Sequence, residues 1–419
     1  MQLRFRGGRA DGPPPVRSQT RSRVPATLWL GLTAVVTAMA YSLLWNRVLG
    51  NTFMVEGDPS PRYPFRTPAD AWCMFDVTAY VANGALGSLY EACGGFLALP
   101  LFPILLAPAS ALAQALGLTG PPVATPTSWL LLGTTGALVV FPLLAAVGSI
   151  LPAARRGLRV QLAAVLLVFV PAAVFYGHFE DVLAAALLAA AVRLGRDGRW
   201  LYGALAVGAA VACKQWALLA VPLLIPGVPR SQWRTVLLGS AFIPFLLGVF
   251  TLAADWSHAS RALLDPPTWP AYGHPALWVD ARAESLATAV PRAILLTGTL
   301  VLAWRLRARP GLVPLLAGLG VALLARCFLE PVLHPYYACP GLLFLLLHER
   351  CTAGTICRTL ALGLTFALWG GWHGPAPVWW GVAALLCGAR RRPGRAHRAG
   401  PARSPPGRTG GSGRAPGWR

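Results

Sequence analysis

Apolar runs of about 20 residues, separated by short turns whose cations are almost all arginine, recur from residue 26 to residue 390. A run of that length crosses a ~30 Å hydrocarbon core as one helix. In such a core the backbone satisfies its own N–H and C=O groups only as helix or closed barrel. No run alternates polar and apolar residues as a barrel strand would, so the pattern predicts an all-α fold. Composition agrees: 55% of the 419 residues are hydrophobic and 12% are charged, about half the charge of a soluble domain. The expected architecture is a polytopic transmembrane helical bundle of about 9–12 spans, occupying residues 26–390.

The formal net charge is +21. Its placement argues against nucleic acid as a partner, because the arginines collect in both tails and in the turns between apolar runs. That is the distribution of cytoplasmic loops in a membrane protein. Residues 1–25 form a polar, basic N-terminal tail, and residues 391–419 are Arg, Gly, Pro and Ser with almost nothing apolar. The second tail cannot bury a core and is expected to be disordered, resting on anionic membrane lipid. Both termini are expected in the cytoplasm and the protein in the plasma membrane as a multi-pass chain. The eight cysteines show no metal-type spacing. Most lie in apolar runs, where Cys serves as a small hydrophobe; Cys73 and Cys93 share one proposed outer loop and could pair.

Counting arginines fixes the remaining topology. The first run, residues 26–45, contains Ala38-Met39-Ala40, which resembles a signal-peptidase site, but the apolar stretch continues past it and an uncleaved helix is expected. Residues 46–95 form a long first outer loop holding Glu56, Asp58, Asp70, Asp76 and Glu91. Residues 96–118, interrupted by Pro100, Pro103 and Pro108, read as a juxtamembrane or re-entrant helix. Runs at 129–151, 160–176, 182–192, 236–254, 287–304, 311–328 and 339–347 alternate in direction, with a second large outer loop at 255–286 and two further spans ending at Arg390. Residues 201–225 carry arginines at both ends, at Arg199 and at Arg230 and Arg234. A single crossing there violates the charge rule, whereas two half-helices meeting near Lys214 satisfy it; both remain open. No internal repeat is visible, which counts mildly against transporter folds built on inverted repeats.

Ionisable groups at membrane depth are costly unless paired, so they are candidates for function. They are Asp76, Glu91, His178, Glu180, Asp181, Lys214, Arg326, Glu330 and His334, and Lys214 is the single lysine of the chain. All but Lys214 fall near the outer face. Each has a plainer reading: Asp76 as a helix cap, Glu91 as a loop acid, Arg326 paired with Glu330 one turn on. Lys214 fits a buried ion pair with Glu180 or Asp181, His178, Glu180 and Asp181 fit capping and pairing, and His334 fits an interfacial position. Trp72, Trp256, Trp269, Trp278, Tyr336 and Tyr337 fit an aromatic belt as well as sugar or prenyl stacking.

Met74-Phe75-Asp76-Val77-Thr78-Ala79-Tyr80, in the first outer loop, resembles the D-x-x-x-Y segment of the GT-C glycosyltransferases, enzymes that use polyprenyl-phosphate sugars. The proline-rich run at 100–108 is similar to that family's juxtamembrane helix. Tyr176-Gly177-His178-Phe179-Glu180-Asp181 followed by Cys213-Lys214-Gln215-Trp216 resembles the run of actinobacterial mannosyltransferase-like members, and His334-Pro335-Tyr336-Tyr337 matches a further family theme. The resemblance implies a GT-C-like fold with a long first extracytoplasmic loop. It also implies inverting transfer of a sugar, mannose favoured, from polyprenyl phosphate to a glycolipid or cell-envelope glycan on the extracytoplasmic face. Asp76 would be the general base, with Glu91 the second choice. Arg326, Lys214 and His334 would bind the donor phosphate, and Tyr80, His178, Glu180, Asp181, Tyr336 and Tyr337 would contact substrate. The first outer loop has no D-x-D pair and the chain has no Gly-rich phosphate loop, so neither metal nor cofactor is expected. Two other classes fit the same features: a transporter or flippase of lipid-linked intermediates, and a non-catalytic membrane scaffold.

Overall fold

The computed structural model describes residues 77–85, 99–117, 126–151, 165–166, 168–169, 172–173, 178–264, 284–329 and 335–351. No strand occurs among them. The helix expected at 26–45, both tails, the two final spans and most of the first outer loop lie outside these residues. So do Asp76, Glu91, Glu330 and His334, and with them Cys73 and Cys93. A short helical segment at residues 77–82 carries Tyr80, which is exposed, beside the buried Val77 and Thr78.

Helix α1 (Leu101–Ala115) runs unbroken through Pro108, although prolines led us to expect an interruption. Pro103 lies in the first turn, where its missing N–H has no helical partner to lose. At 15 residues the helix is about 22 Å long, short of a full crossing. Helix α2 (Pro126–Ile150) packs on α1 and on α3 (Phe179–Arg196). The α3 sequence is an alanine-rich helix former with Glu180 and Asp181 in its first turn and Arg193 and Arg196 in its last. That order places charge of the right sign at each end of the helix dipole.

Helix α4 (Trp200–Cys213) stops at Lys214, whose backbone is extended at φ −155° and ψ 124°. The chain resumes as a 3-10 turn (Gln215–Leu219) and a short α5 (Ala220–Leu224). The apolar stretch with arginines at both ends is therefore discontinuous at its lysine, the second of the two arrangements its charges allowed. Helix α6 (Trp233–Ala254) then runs alongside α4: Trp200 and Trp233, with Ala204 and Val236, share one apolar cluster. The contact is close because small residues line it; a methyl added at Gly208 would sit 2.8 Å from the Ser240 carbonyl oxygen. Helix α7 (Trp256–Leu264) follows at once.

Helices α8 (Glu284–Leu306) and α9 (Leu312–Leu329) form an antiparallel pair, and α10 (Cys339–Cys351) returns along α9 after a 3-10 turn (Pro335–Ala338). Two glycines set the α9–α10 seam. A methyl at Gly320 would come within 2.6 Å of Leu345, and one at Gly341 within 2.8 Å of Leu324. The His348 ring reaches the Val313 carbonyl at 3.0 Å across the same seam.

Among the described residues, two helices are long and apolar enough to cross a membrane, by windows at Gly133–Ile150 and Arg230–Ala254 with mean hydropathy 1.8 and 2.2. Only 22% of the second window is buried. Its outward side chains are Leu237, Leu238, Phe242, Phe245 and Phe250, and α8 likewise exposes Ile294, Leu296, Leu300 and Trp304. Of the described cysteines, Cys213, Cys327 and Cys339 are buried as free thiols.

Candidate functional site

Four stretches distant in sequence bring their polar side chains to one place: the start of α3, the break after α4, the end of α9 and the turn before α10. Glu180 and Asp181 are buried on the first turn of α3, with His178 at the cap position before them. Lys214 reaches them from the break in α4. Its ammonium donates to Glu180 Oε1 at 2.7 Å and lies 3.6 Å from Asp181 Oδ2. The extended conformation of Lys214 ends α4 at the point where its side chain meets α3.

The second carboxylate has its own donor. Trp216 Nε1, one residue into the 3-10 turn, donates to Asp181 Oδ1 at 2.5 Å. His178 Nδ1 lies 2.8 Å from Glu180 Oε1. A carboxylate can only accept, so Nδ1 carries a proton, and the 3.4 Å approach of Lys214 Nζ to that same nitrogen is a contact between two donors. Glu180 Oε2 is buried and accepts no hydrogen bond among the described residues.

An aromatic chain extends the cluster toward α9. Tyr336 stacks on the His178 ring with centroids 4.2 Å apart and planes 22° from parallel. Tyr337 meets Tyr336 edge-on at 4.8 Å, and the Arg326 guanidinium lies 4.1 Å over the Tyr337 ring. Cation and ring attract through the ring quadrupole, most strongly where water is excluded; Arg326 is 8% exposed. With Lys214 and Arg326 charged against Glu180 and Asp181, the cluster is balanced, so an imidazolium at His178 or a bound anion would each shift that balance.

His178, Glu180 and Asp181 offer three ligand atoms within 4.8 Å of one another, a donor set that could hold a metal ion. The Lys214 ammonium already stands against two of these residues' carboxylates. A metal would have to displace it or be repelled by it.

Of the site residues expected from sequence, His178, Glu180, Asp181, Lys214, Arg326, Tyr336 and Tyr337 meet in this cluster. Tyr80 is exposed on residues 77–82, and the described residues record no hydrogen bond or ring contact from it to the cluster. Asp76, Glu91 and His334 lie outside the described residues. Sequence reading gave Trp216 no role, although it stands in the Lys214-Gln215-Trp216 run that signalled the site. It also missed the Arg326–Tyr337 and His178–Tyr336 contacts, since a ring offers no charge to match by eye.

The described residues form an all-helical structure with a buried cluster of two carboxylates and two cations gathered around a broken helix. No family model, curated protein or solved structure matches the chain.

Proposed function

We propose that this chain is a polytopic plasma-membrane glycosyltransferase of the GT-C type, moving a sugar from polyprenyl phosphate to a glycolipid or glycan acceptor at the extracytoplasmic face. The observation that carries the reading is the convergence of His178, Glu180, Asp181, Lys214, Tyr336 and Tyr337, drawn from three of the runs that resemble the family, with Arg326 from the end of α9. Membrane placement is supported by the exposed Leu and Phe face of α6, which is too little buried for the core helix of a soluble protein. The arginine turns favour a cytoplasmic position for the opposite end of these helices.

In the proposed reaction the acceptor hydroxyl oxygen attacks the anomeric carbon. The bond from that carbon to the phosphate oxygen breaks and its electron pair leaves with the phosphate. The acceptor proton passes to the carboxylate of Asp76. Arg326 is the cation assigned to the phosphate charge, because a guanidinium binds phosphate in a planar fork and this one lies over Tyr337, beside the Tyr336–His178 stack. Lys214 is committed to two carboxylates; its part is to hold Glu180 and Asp181 in place and to lend its remaining N–H. Glu180 Oε2 is an acceptor for a sugar hydroxyl. Mannose is the favoured sugar and no metal is assigned to the step.

The test is transfer of labelled mannose from polyprenyl phosphate by the purified protein in lipid nanodiscs, comparing wild type with Asp76→Asn and Arg326→Gln. Transfer by wild type, with at least a hundredfold loss in Asp76→Asn, is the expected result for removal of a general base. Equal transfer by wild type and Asp76→Asn moves the base to Glu91.

One observation favours a second reading, a transporter of lipid-linked intermediates. Helices interrupted at a buried charge, as α4 is at Lys214, are how many transporters build a midplane site. Labelled donor crossing a sealed bilayer with no new glycosidic bond would decide for it.

A further inference from the structure

Between α8 and α9, on the side away from the charged cluster, lies a groove of about 820 Å³. Its wall on α9 runs from Pro314 to Val321, from about 18 Å to about 7.5 Å along the axis from Arg326. The groove is lined by Leu302, Leu306, Gly318 and Val321, and its mouth by Arg305, Arg307 and Arg309. Among the described residues, no carboxylate lines it. Arg307 is fixed by its guanidinium, which stacks 5.1 Å over the Trp233 ring. Trp304 and Val321, which also line it, are 69% and 54% exposed.

We infer that this groove binds one anionic phospholipid, with its phosphodiester on the arginines and an acyl chain along Leu302, Leu306 and Val321. Three guanidinium groups within five residues repel one another, and an anion relieves that repulsion. A free anion would use the arginines and leave the apolar floor uncovered; a zwitterionic lipid would bring an ammonium group against the same three cations. Only a molecule with an apolar tail and a net negative head satisfies both parts. Trp304 then stands where indole rings collect, at the level of lipid headgroups. The inference rests on the membrane placement of α8 and α9 and is independent of glycosyl transfer.

The experiment uses the full chain in nanodiscs and in mild detergent. Native mass spectrometry of the detergent sample is followed during titration with phosphatidylglycerol, chain-matched phosphatidylcholine, or inorganic phosphate. One phosphatidylglycerol per protein is expected at concentrations where phosphatidylcholine is not retained, without competition from equimolar phosphate. The double variant Arg305→Gln/Arg309→Gln, which leaves Arg307 on Trp233, should bind phosphatidylglycerol about thirtyfold more weakly. Val321→Trp keeps every arginine and obstructs the floor, and should also lose the lipid. Equal retention of the two lipids, or phosphatidylglycerol binding undiminished in both variants, overturns the inference; so does displacement by phosphate, which would make the arginines a free-anion site. A chain that does not enter nanodiscs overturns the membrane placement as well, whereas insertion with unselective lipid retention overturns this inference alone.

Discussion

The first turn of α3 and the outer face of α6 distribute their side chains in opposite ways. On α3, Glu180 and Asp181 are 3% and 0% exposed; on α6, Leu238 and Phe245 are each 71% exposed. In water both arrangements would be unfavourable, since acids belong at the surface and large apolar groups inside. Together they make sense if the surroundings are apolar and the polar groups must find their partners within the chain. The acids have an ammonium, an indole N–H and an imidazole beside them, while the phenylalanines of α6 face outward. The proposed bilayer explains both regions by one cause, and each can be tested separately.

The largest effect is expected where a charge is left alone. Lys214→Met removes the cation between two buried carboxylates and should cost about 3–5 kcal/mol of stability, measured by denaturant unfolding in detergent. A loss near zero would mean that water reaches the acids and the contrast with α6 is superficial. Phe245→Arg tests the other side. It should lower membrane insertion of α6 by about 2.5–3.5 kcal/mol in a translocon assay, whereas Phe245→Leu should leave it unchanged. Unimpaired insertion of the arginine would place that face in water.

Smaller effects refine the contrast. Trp216→Phe keeps the ring and removes the donor to Asp181, at a cost of about 1–3 kcal/mol, seen as a lower unfolding midpoint. The smallest effect concerns Asp255, just beyond α6, which caps α7: its Oδ1 accepts from the His258 backbone N–H at 3.1 Å and from the Ser257 hydroxyl at 3.0 Å. Burial, which would raise its pKa, is outweighed by these hydrogen bonds and the nearby His258 ring, so its carboxyl sits below the usual range. The stabilisation is therefore complete above the unfolded value of about 3.9 and is lost as pH falls through the lowered folded value. Asp255→Ala should remove about 1 kcal/mol, read as faster amide exchange in α7 at neutral pH and little difference from wild type once the acid is protonated.

The helical class was legible because run length and the absence of alternation are properties of local sequence. So was α6, expected at 236–254 and found at Trp233–Ala254. The break at Lys214 was legible only as one of two solutions to a charge count. What selects it is the pull of Glu180, 34 positions earlier, and no local window contains that pair. Residues 96–118 were legible as a helix too short for a full crossing, and α1 has 15 residues; its continuity through Pro108 was not, because whether one lost hydrogen bond ends a helix depends on the packing around it. In the cluster, residue types and their company were readable from motifs, but their partners were not. Arg326 was read as a phosphate ligand, with Glu330 as its plainer partner, and the ring of Tyr337 beneath its guanidinium was not foreseen; Glu330 lies outside the described residues.

That seam between α9 and α10 has a consequence of its own. Gly320 admits Leu345 and Gly341 admits Leu324, so each helix carries both a notch and the tooth that fills the other's notch. Such a joint resists rotation as well as sliding. Arg326 stands two residues past Leu324, and Tyr337 four residues before Gly341, so the pose of guanidinium on ring is inherited from a keyed contact without a single charge. A side chain added at either glycine would look, in an activity screen, like damage to the site itself, though it touches none of its members.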